Sequence, residues 1–174
     1  MLSNSVQHAN LQPTITLKSV KIVLQKSGPA RVEIDDKVHG EIKKGLVLLI
    51  GITHNDSEKD IQYLCEKILN LRIFESNGKY FEKSILETGD EILAISQFTL
   101  YASCRKGRRP DFMEAAKPEI AKPLYDKFIE KLKEKGIKVE TGVFGADMQV
   151  HLVNEGPITL IIESPEGAQQ NPIS

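Results

Sequence analysis

Cysteine is scarce in this sequence: 174 residues hold only Cys65 and Cys104. Cys65 falls in an amphipathic pattern and Cys104 in a polar stretch, so a disulfide framework is excluded and a reducing compartment fits. Neither belongs to a C-x-x-C pair, and the four histidines (His8, His39, His54, His151) share no ligand spacing, so no metal and no cofactor are expected. An excess of either charge is missing too. The 23 Lys and Arg stand against 24 Asp and Glu, a net charge of −1. No global field draws the chain to nucleic acid, and any such contact must come from a local patch. Long apolar runs are absent; the longest, Leu46-Val47-Leu48-Leu49-Ile50-Gly51-Ile52, is far too short to span a bilayer. The first seventeen residues carry neither Arg nor Lys and no apolar core, unlike a signal peptide. What is present is an ordinary globular composition, 40% hydrophobic and 27% charged, in a chain long enough to bury its own core. A cytoplasmic protein with no membrane and no DNA partner is expected.

Periodicity supplies the elements. Val20 to Gln25 is rich in β-formers, and Ala30 to Asp35 alternates apolar and charged residues. A turn at Asp35-Asp36 then leads into Val38 to Ile42, which predicts antiparallel strands. Leu46 to Ile52 predicts a strand buried on both faces. Ser57 with Asp60 three residues later signals a helix start, and Ile61, Leu64, Cys65, Ile68 and Leu69 follow on one helical face. Ile73-Phe74, Tyr80-Phe81 and Ile92 to Phe98 read as strands, the first two joined at Ser76-Asn77-Gly78. A second helix is expected from Glu119 to Lys135, with Ile120, Leu124, Phe128 and Leu132 as its stripe. Its regular part is expected to start near Pro123, with Gly136 ending it. Two strands, Met148 to Val153 and Ile158 to Ile162, close the chain. The two helices do not alternate with strands as βαβ units require. The expected fold is therefore α+β, a single domain of mainly antiparallel, barrel-like sheet over residues 19–164. Residues 1–18 are expected to be a disordered leader and 165–174 a flexible tail.

Two segments are chemically odd for plain structure. In Ile95-Ser96-Gln97-Phe98-Thr99-Leu100 a hydrophobic strand ends in Ser, Gln and Thr. In Asn154-Glu155-Gly156-Pro157-Ile158-Thr159 a Gly-Pro stands at the join of two strands. Each has a bland reading, a strand end satisfying neighbouring backbone and a tight hairpin turn. Together with Arg105-Lys106-Gly107-Arg108-Arg109-Pro110-Asp111-Phe112, Phe144-Gly145-Ala146-Asp147-Met148 and Lys67-Ile68-Leu69-Asn70-Leu71-Arg72-Ile73-Phe74, they are collinear from about Lys21 to Ser164. In this set the chain resembles the D-aminoacyl-tRNA deacylase family.

The resemblance implies a homodimeric trans-editing hydrolase that proofreads aminoacyl-tRNA at its acceptor end. Ser96, Gln97, Phe98 and Thr99 then form the catalytic floor, with the backbone N–H groups of Phe98 and Thr99 stabilising an oxyanion and the terminal ribose 2′-OH assisting the attack. One such donor contributes about 10²–10³ in rate. Thr99 as a direct nucleophile ranks lower, because no histidine lies near it in sequence to activate it. Gly156-Pro157 implies a cis dipeptide reaching into the partner's pocket, a backbone wall that rejects L-residues while D-residues and achiral glycine pass. Arg105, Lys106, Arg108 and Arg109 are either a solvated surface loop or a clamp on acceptor-stem phosphates. Phe144 and Met148 either pack in the core or contact the terminal adenine.

One position departs from the family pattern. Its first strand usually reads Gln-Arg-Val, the Arg bracing the Gly-cisPro carbonyls, whereas here Gln25-Lys26-Ser27 stands there. Lysine keeps the charge but loses the planar two-point fork, which leaves open a looser filter. Two rivals remain: a non-catalytic module binding tRNA ends through the basic loop, and a general esterase with Ser96 as nucleophile.

Overall fold

The computed structural model describes residues 19–165. The leader expected at 1–18, and all of the expected tail except Pro165, lie outside the described residues. Strand β1 (Lys21–Ile34) turns through Asp35 and Asp36, both at positive φ (49° and 58°), into β2 (Lys37–Ile42). That is the backbone a two-residue hairpin needs to match strand twist. β1 pairs antiparallel with β2 through its second half and with β3 (Gly45–Gly51) through its first. Along its other side runs β8 (Gln149–Glu163), also antiparallel. The expected separate strands at 20–25 and 30–35, and at 148–153 and 158–162, are thus two long strands. Each keeps its direction because the pairing between them slips at bulges. Pro29, without an N–H to give, sits in one such slip, between the Ser27↔Asn154 and Ala30↔Leu152 pairs.

The sheet continues from β3 to β6 (Glu91–Ser96) and β7 (Val139–Thr141), in both cases parallel. Parallel neighbours require crossovers. The first carries helix α1 (Glu58–Asn70), the hairpin β4 (Phe74–Ser76) and β5 (Lys79–Lys83), and the short α2 (Ile85–Thr88); the second carries α3 (Pro118–Glu134). The helices do alternate with parallel strands here, contrary to the sequence reading, and three are present. Antiparallel pairing still dominates the nearly closed, barrel-like sheet, and the α+β class stands.

Double-sided burial explains the apolar run. Leu46, Leu48 and Ile50 of β3, with Ile92 and Ala94 of β6, meet Ile61, Leu64 and Ile68 of α1 and Phe128 and Leu132 of α3. The alternate residues Val47, Leu93 and Ile95 meet Ala30, Val32 and Ile42 inside the curled sheet. Strand and helix periods interlock only in this arrangement.

Helix α3 starts at Pro118, one residue before the expected Glu119, and its helical turns begin there and not near Pro123, which lies inside it. Pro118 is favourable there, because its missing N–H has no helical acceptor anyway. Pro123 forfeits one bond, tolerated because Ala121, Tyr125, Phe128, Ile129 and Leu132 are buried. The stripe is therefore rotated from the expected one, leaving Ile120 exposed. Gly136 does end the helix, at φ +81°.

The expected helix start at Ser57 is a stitching point for the whole domain. The buried Asp60 carboxylate accepts bonds from the Ser57 N–H (2.9 Å), the Ser57 hydroxyl (2.8 Å) and, from the far end of β8, the Ser164 hydroxyl (2.8 Å). Ser19 Oγ in turn donates to Ser164 O at 2.6 Å. Among the described residues no helix is long and apolar enough to cross a membrane. Replacing Asp60 by alanine removes the shared acceptor and is expected to cost about 2–3 kcal/mol, read as a lower urea midpoint at unchanged slope. A loss below roughly 0.5 kcal/mol would show that water takes over the carboxylate's bonds.

Candidate active site

The strand expected from Ile92 to Phe98 ends earlier, at Ser96. Gln97 adds one more bond to the sheet, its N–H donating to Ile50 O at 2.7 Å, and the chain then coils into a 3-10 turn over Phe98–Tyr101. Two features force the coil. Tyr101 is buried with its hydroxyl on Ser19 O, pulling the chain inward. Gly51 lets it approach, since a Cβ there would stand 3.0 Å from Leu100 Cβ and 3.2 Å from the Gln97 carbonyl oxygen. Any larger residue would push the turn off the sheet.

The leading residues of such a turn have N–H groups with no carbonyl ahead of them. Leu100 N–H returns to Gln97 O and Ala102 N–H to Thr99 O, whereas those of Phe98 and Thr99 have no partner among the described residues. Gln97 Nε2 donates to Thr99 Oγ1, so the threonine hydroxyl faces an amide, which cannot act as a base.

The basic loop is fixed beside this turn. Ser103 and Asp111 exchange two backbone bonds (2.8 and 3.0 Å) that close residues 104–110 into a projection, with Gly107 at φ +71°. Just beyond the closure, the Phe112 ring meets Phe98 edge-on with centroids 5.1 Å apart. On the far side, Thr53 Oγ1 donates to Glu114 O (2.6 Å) and Ala116 N–H to Ile52 O (2.9 Å), tying the segment to β3. Arg105, Lys106, Arg108 and Arg109 are all exposed, and none makes an ion pair among the described residues.

Gly156 and Pro157 lie elsewhere, in a surplus of β8 opposite Lys26 of β1, with the peptide bond between them cis and both residues exposed. Lys26 Nζ reaches Glu155 Oε2 at 3.8 Å. The register separates this projection from Ser96 of the same chain. The row through Ser96 runs Ile50–Ile22–Ile162, about four strand residues (~13 Å) from Lys26. β8 is also three strand spacings (~14 Å) from β6, so the path along the sheet between the two motifs of one chain is roughly 20 Å.

Phe144 and Met148 occupy different layers. Phe144 packs on the helix side, 6.1 Å from the Tyr125 ring. Met148 belongs to the cluster inside the sheet, where its sulfur takes the space a Gly142 side chain would need, beside Ile95. Both remain partly exposed.

Residues 23–163 match the family described as D-Tyr-tRNA(Tyr) deacylase. The chain belongs to this family. It is 54% identical over 145 residues to D-aminoacyl-tRNA deacylases of Bacillus thuringiensis (strain Al Hakam) and Bacillus cereus (strain B4264), covering 83% of this chain and 99% of each relative. A solved structure named c-Myc DNA Unwinding Element Binding Protein superposes with a TM-score of 0.78 at 40% identity. A probable eukaryotic D-amino acid tRNA deacylase does so at 0.74 and 19% identity, a likeness of fold; each covers 83% of this chain and 99% of the other. Family membership makes the chain an ester hydrolase, as the motifs implied.

For this deacylase the sequence reading missed Phe112 and Met113. Phe112 supports Phe98, and Met113 is 83% exposed beside it. The available signal was two apolar residues three and four positions after Arg109, past Pro110 and Asp111, where a solvated loop has no use for them. It also missed Asp56. Burial pushes this carboxyl up to about 7, with the Thr53 N–H at 2.6 Å pulling the other way and nearby Asp60 adding to the rise. An acid whose folded-state pKa is raised contributes stability in full below its unfolded value, about 4, and loses it as pH climbs through about 7. Thermal melts from pH 4 to 8 should therefore show a falling contribution that Asp56→Asn flattens. Identical pH profiles for the two proteins would place the Asp56 carboxyl in water.

Proposed function

We propose that the protein hydrolyses the ester of D-aminoacyl-tRNA, and of mischarged glycyl-tRNA, while sparing L-aminoacyl-tRNA, and so proofreads chirality in trans. The observation that carries this reading is the pair of leading N–H groups at Phe98 and Thr99, without a partner among the described residues and beside a cation-rich loop. An aminoacyl ester is already activated, so water needs no strong nucleophile in front of it. As water attacks, negative charge gathers on the former carbonyl oxygen, and two fixed N–H donors meet it without reorganising. The neighbouring ribose 2′-OH assists this attack; the carbon–oxygen bond then breaks, and the ribose oxygen leaves with the proton given up by the water. Thr99 stays a spectator hydroxyl held by Gln97, and Ser96 ends the strand that aims the turn.

Arg105, Lys106, Arg108 and Arg109 hold acceptor-stem phosphates, which makes binding salt-sensitive and independent of sequence. The exposed parts of Phe144 and Met148 take the terminal adenine. Gly156-Pro157, with Lys26 behind it, is the wall that excludes an L side chain. Because strand order and register set it three strands and about four residues away from its own Ser96, the wall serves the partner's site, and the active unit is an isologous homodimer.

The test is deacylation of D-Tyr-tRNA, Gly-tRNA and L-Tyr-tRNA by the purified protein with EDTA present. The expected result is loss of the first two esters with the third spared. Bound but uncleaved tRNA would turn the reading into a binding module. The oxyanion role has its own probe, because Phe98 opens the turn, where proline fits. Phe98→Pro deletes one N–H and should lower kcat about 10²–10³-fold, whereas Phe98→Ala, which keeps it, should lower kcat far less. Equal losses in the two variants would move the role from the backbone to the ring. Arg108→Ala should raise KM and reduce the salt slope by about one; an unchanged slope would take Arg108 off the phosphates.

A further inference from the structure

The filter proposed above needs a rigid wall, yet Gly156 and Pro157 lie where the sheet has least to hold them. Between the pairs Gln25↔Thr159 and Ser27↔Asn154, β1 has a single residue, Lys26, and β8 has four, Glu155 to Ile158. The surplus leaves the sheet as a projection, and the ladder of backbone bonds is interrupted where it departs. The ion pair next to it does not supply the missing stiffness. Lys26 Nζ and Glu155 Oε2 are 3.8 Å apart and the carboxylate is half-exposed, the kind of pair that contributes little.

An amide does better. The Asn154 side chain satisfies every one of its groups when Nδ2 donates to the carbonyls of Lys26 and Ile158, both at 3.1 Å. Oδ1 then accepts from Thr159 Oγ1 at 2.9 Å and from Gln25 Nε2 at 3.1 Å. One short side chain thus joins the residue before the projection, its last residue, the residue after it and two residues of β1. Ser27 Oγ adds a bond to Val153 O at 3.1 Å. Only a carboxamide offers two donors and a two-lone-pair acceptor at this length. Thr159 and Gln25 complete the knot, and the contacts close its polar groups on one another.

We propose that Asn154 and Gln25 are positioning residues that tie down the base of the Gly156-Pro157 projection and thereby set how strictly L-aminoacyl esters are rejected. The proposal rests on the functional reading above. Neither side chain touches the ester. Their effect is on where the wall stands, so it falls on the unwanted substrate, which the wall must exclude, more than on the D-ester, which it admits. The knot also accounts for how a chain with lysine in place of arginine at position 26 holds its wall, since the bracing passes to neutral amides that salt does not screen.

The experiment uses the full-length protein and compares kcat/KM for D-Tyr-tRNA and L-Tyr-tRNA in wild type, Asn154→Asp and Gln25→Leu, with the urea midpoint of each. Asn154→Asp keeps the shape but turns both donors into acceptors facing the carbonyls of Lys26 and Ile158. The expected result is a fall of about tenfold in the D-over-L ratio, from faster cleavage of the L-ester, with kcat for the D-ester held within a few-fold. Gln25→Leu, which removes one contact, should show a smaller fall. A merely structural role would lower the urea midpoint and leave the ratio unchanged, and that result overturns the proposal. If Asn154→Asp does not fold, an unchanged ratio in Gln25→Leu overturns it equally. A wild type that cleaves both esters alike would instead sink the functional reading and this inference with it. A discriminating wild type beside an equally discriminating Asn154→Asp sinks this inference alone.

Discussion

Strands β3 and β6 are covered on both faces, and nearly everything else in the molecule follows from how those faces are divided. Leu46, Leu48 and Ile50 look toward the helices while Val47 looks into the curled sheet, and Ile92 and Ala94 of β6 divide from Leu93 and Ile95 in the same way. A one-residue slip would exchange the two sets and leave the helices facing the wrong side chains. The parallel register is therefore held from both sides. It places Ser96 opposite Ile50 at the edge of the core. The 3-10 turn that follows inherits this position, and with it the two leading N–H groups. Strands buried on both faces thus stand directly behind the turn to which the oxyanion role is proposed.

The site shows two different uses of backbone. At Phe98-Thr99 the proposed mechanism uses backbone donors, which have no partner among the described residues because they open a turn. At Gly156-Pro157 the proposed filter uses backbone bulk, brought forward because β8 has more residues than β1 can pair. In neither place does the proposed mechanism give the chemistry to side chains. What holds the chain is the Tyr101 side chain, with the bare backbone of Gly51, for the first and the Asn154, Gln25 and Thr159 side chains for the second. On this proposal, mutating the prominent polar residues tests the mechanism less directly than a proline that deletes one N–H.

Much of the local structure was legible in the residues. The Ser57/Asp60 start, the helical face of Ile61 to Leu69, the Asp35-Asp36 turn and the Asn77-Gly78 turn all depend on contacts within a few positions, which propensity and spacing report faithfully. The errors came where distant partners decide. Leu46 to Ile52 was readable as buried on both faces, but an apolar run does not say whether its neighbours are parallel, so the two crossovers were missed. Pro123 argued for a late start to α3, and the burial of Ala121 and Tyr125 against the sheet outweighed the one bond it costs. The breaks seen near Gly28-Pro29 and Gly156-Pro157 were real but are bulges within continuous strands, a distinction only the pairing register makes.

For the site, the motifs themselves marked Ser96 to Thr99, the cationic loop and Gly156-Pro157. The geometry then sorted them by neighbourhood: the loop stands beside the turn through Phe98 and Phe112, Phe144 and Met148 fall into separate layers, and the Gly-Pro projection lies far from its own chain's Ser96. The sequence by itself determined what kinds of group are available and the class of fold, because these depend on composition and on spacing along the chain, and its collinear motifs carried the resemblance to the family. Tertiary structure alone decided which groups meet, which N–H donors find no partner among the described residues and which amide ties the projection, because each is set by strand register, which depends on residues brought together from opposite ends of the sequence.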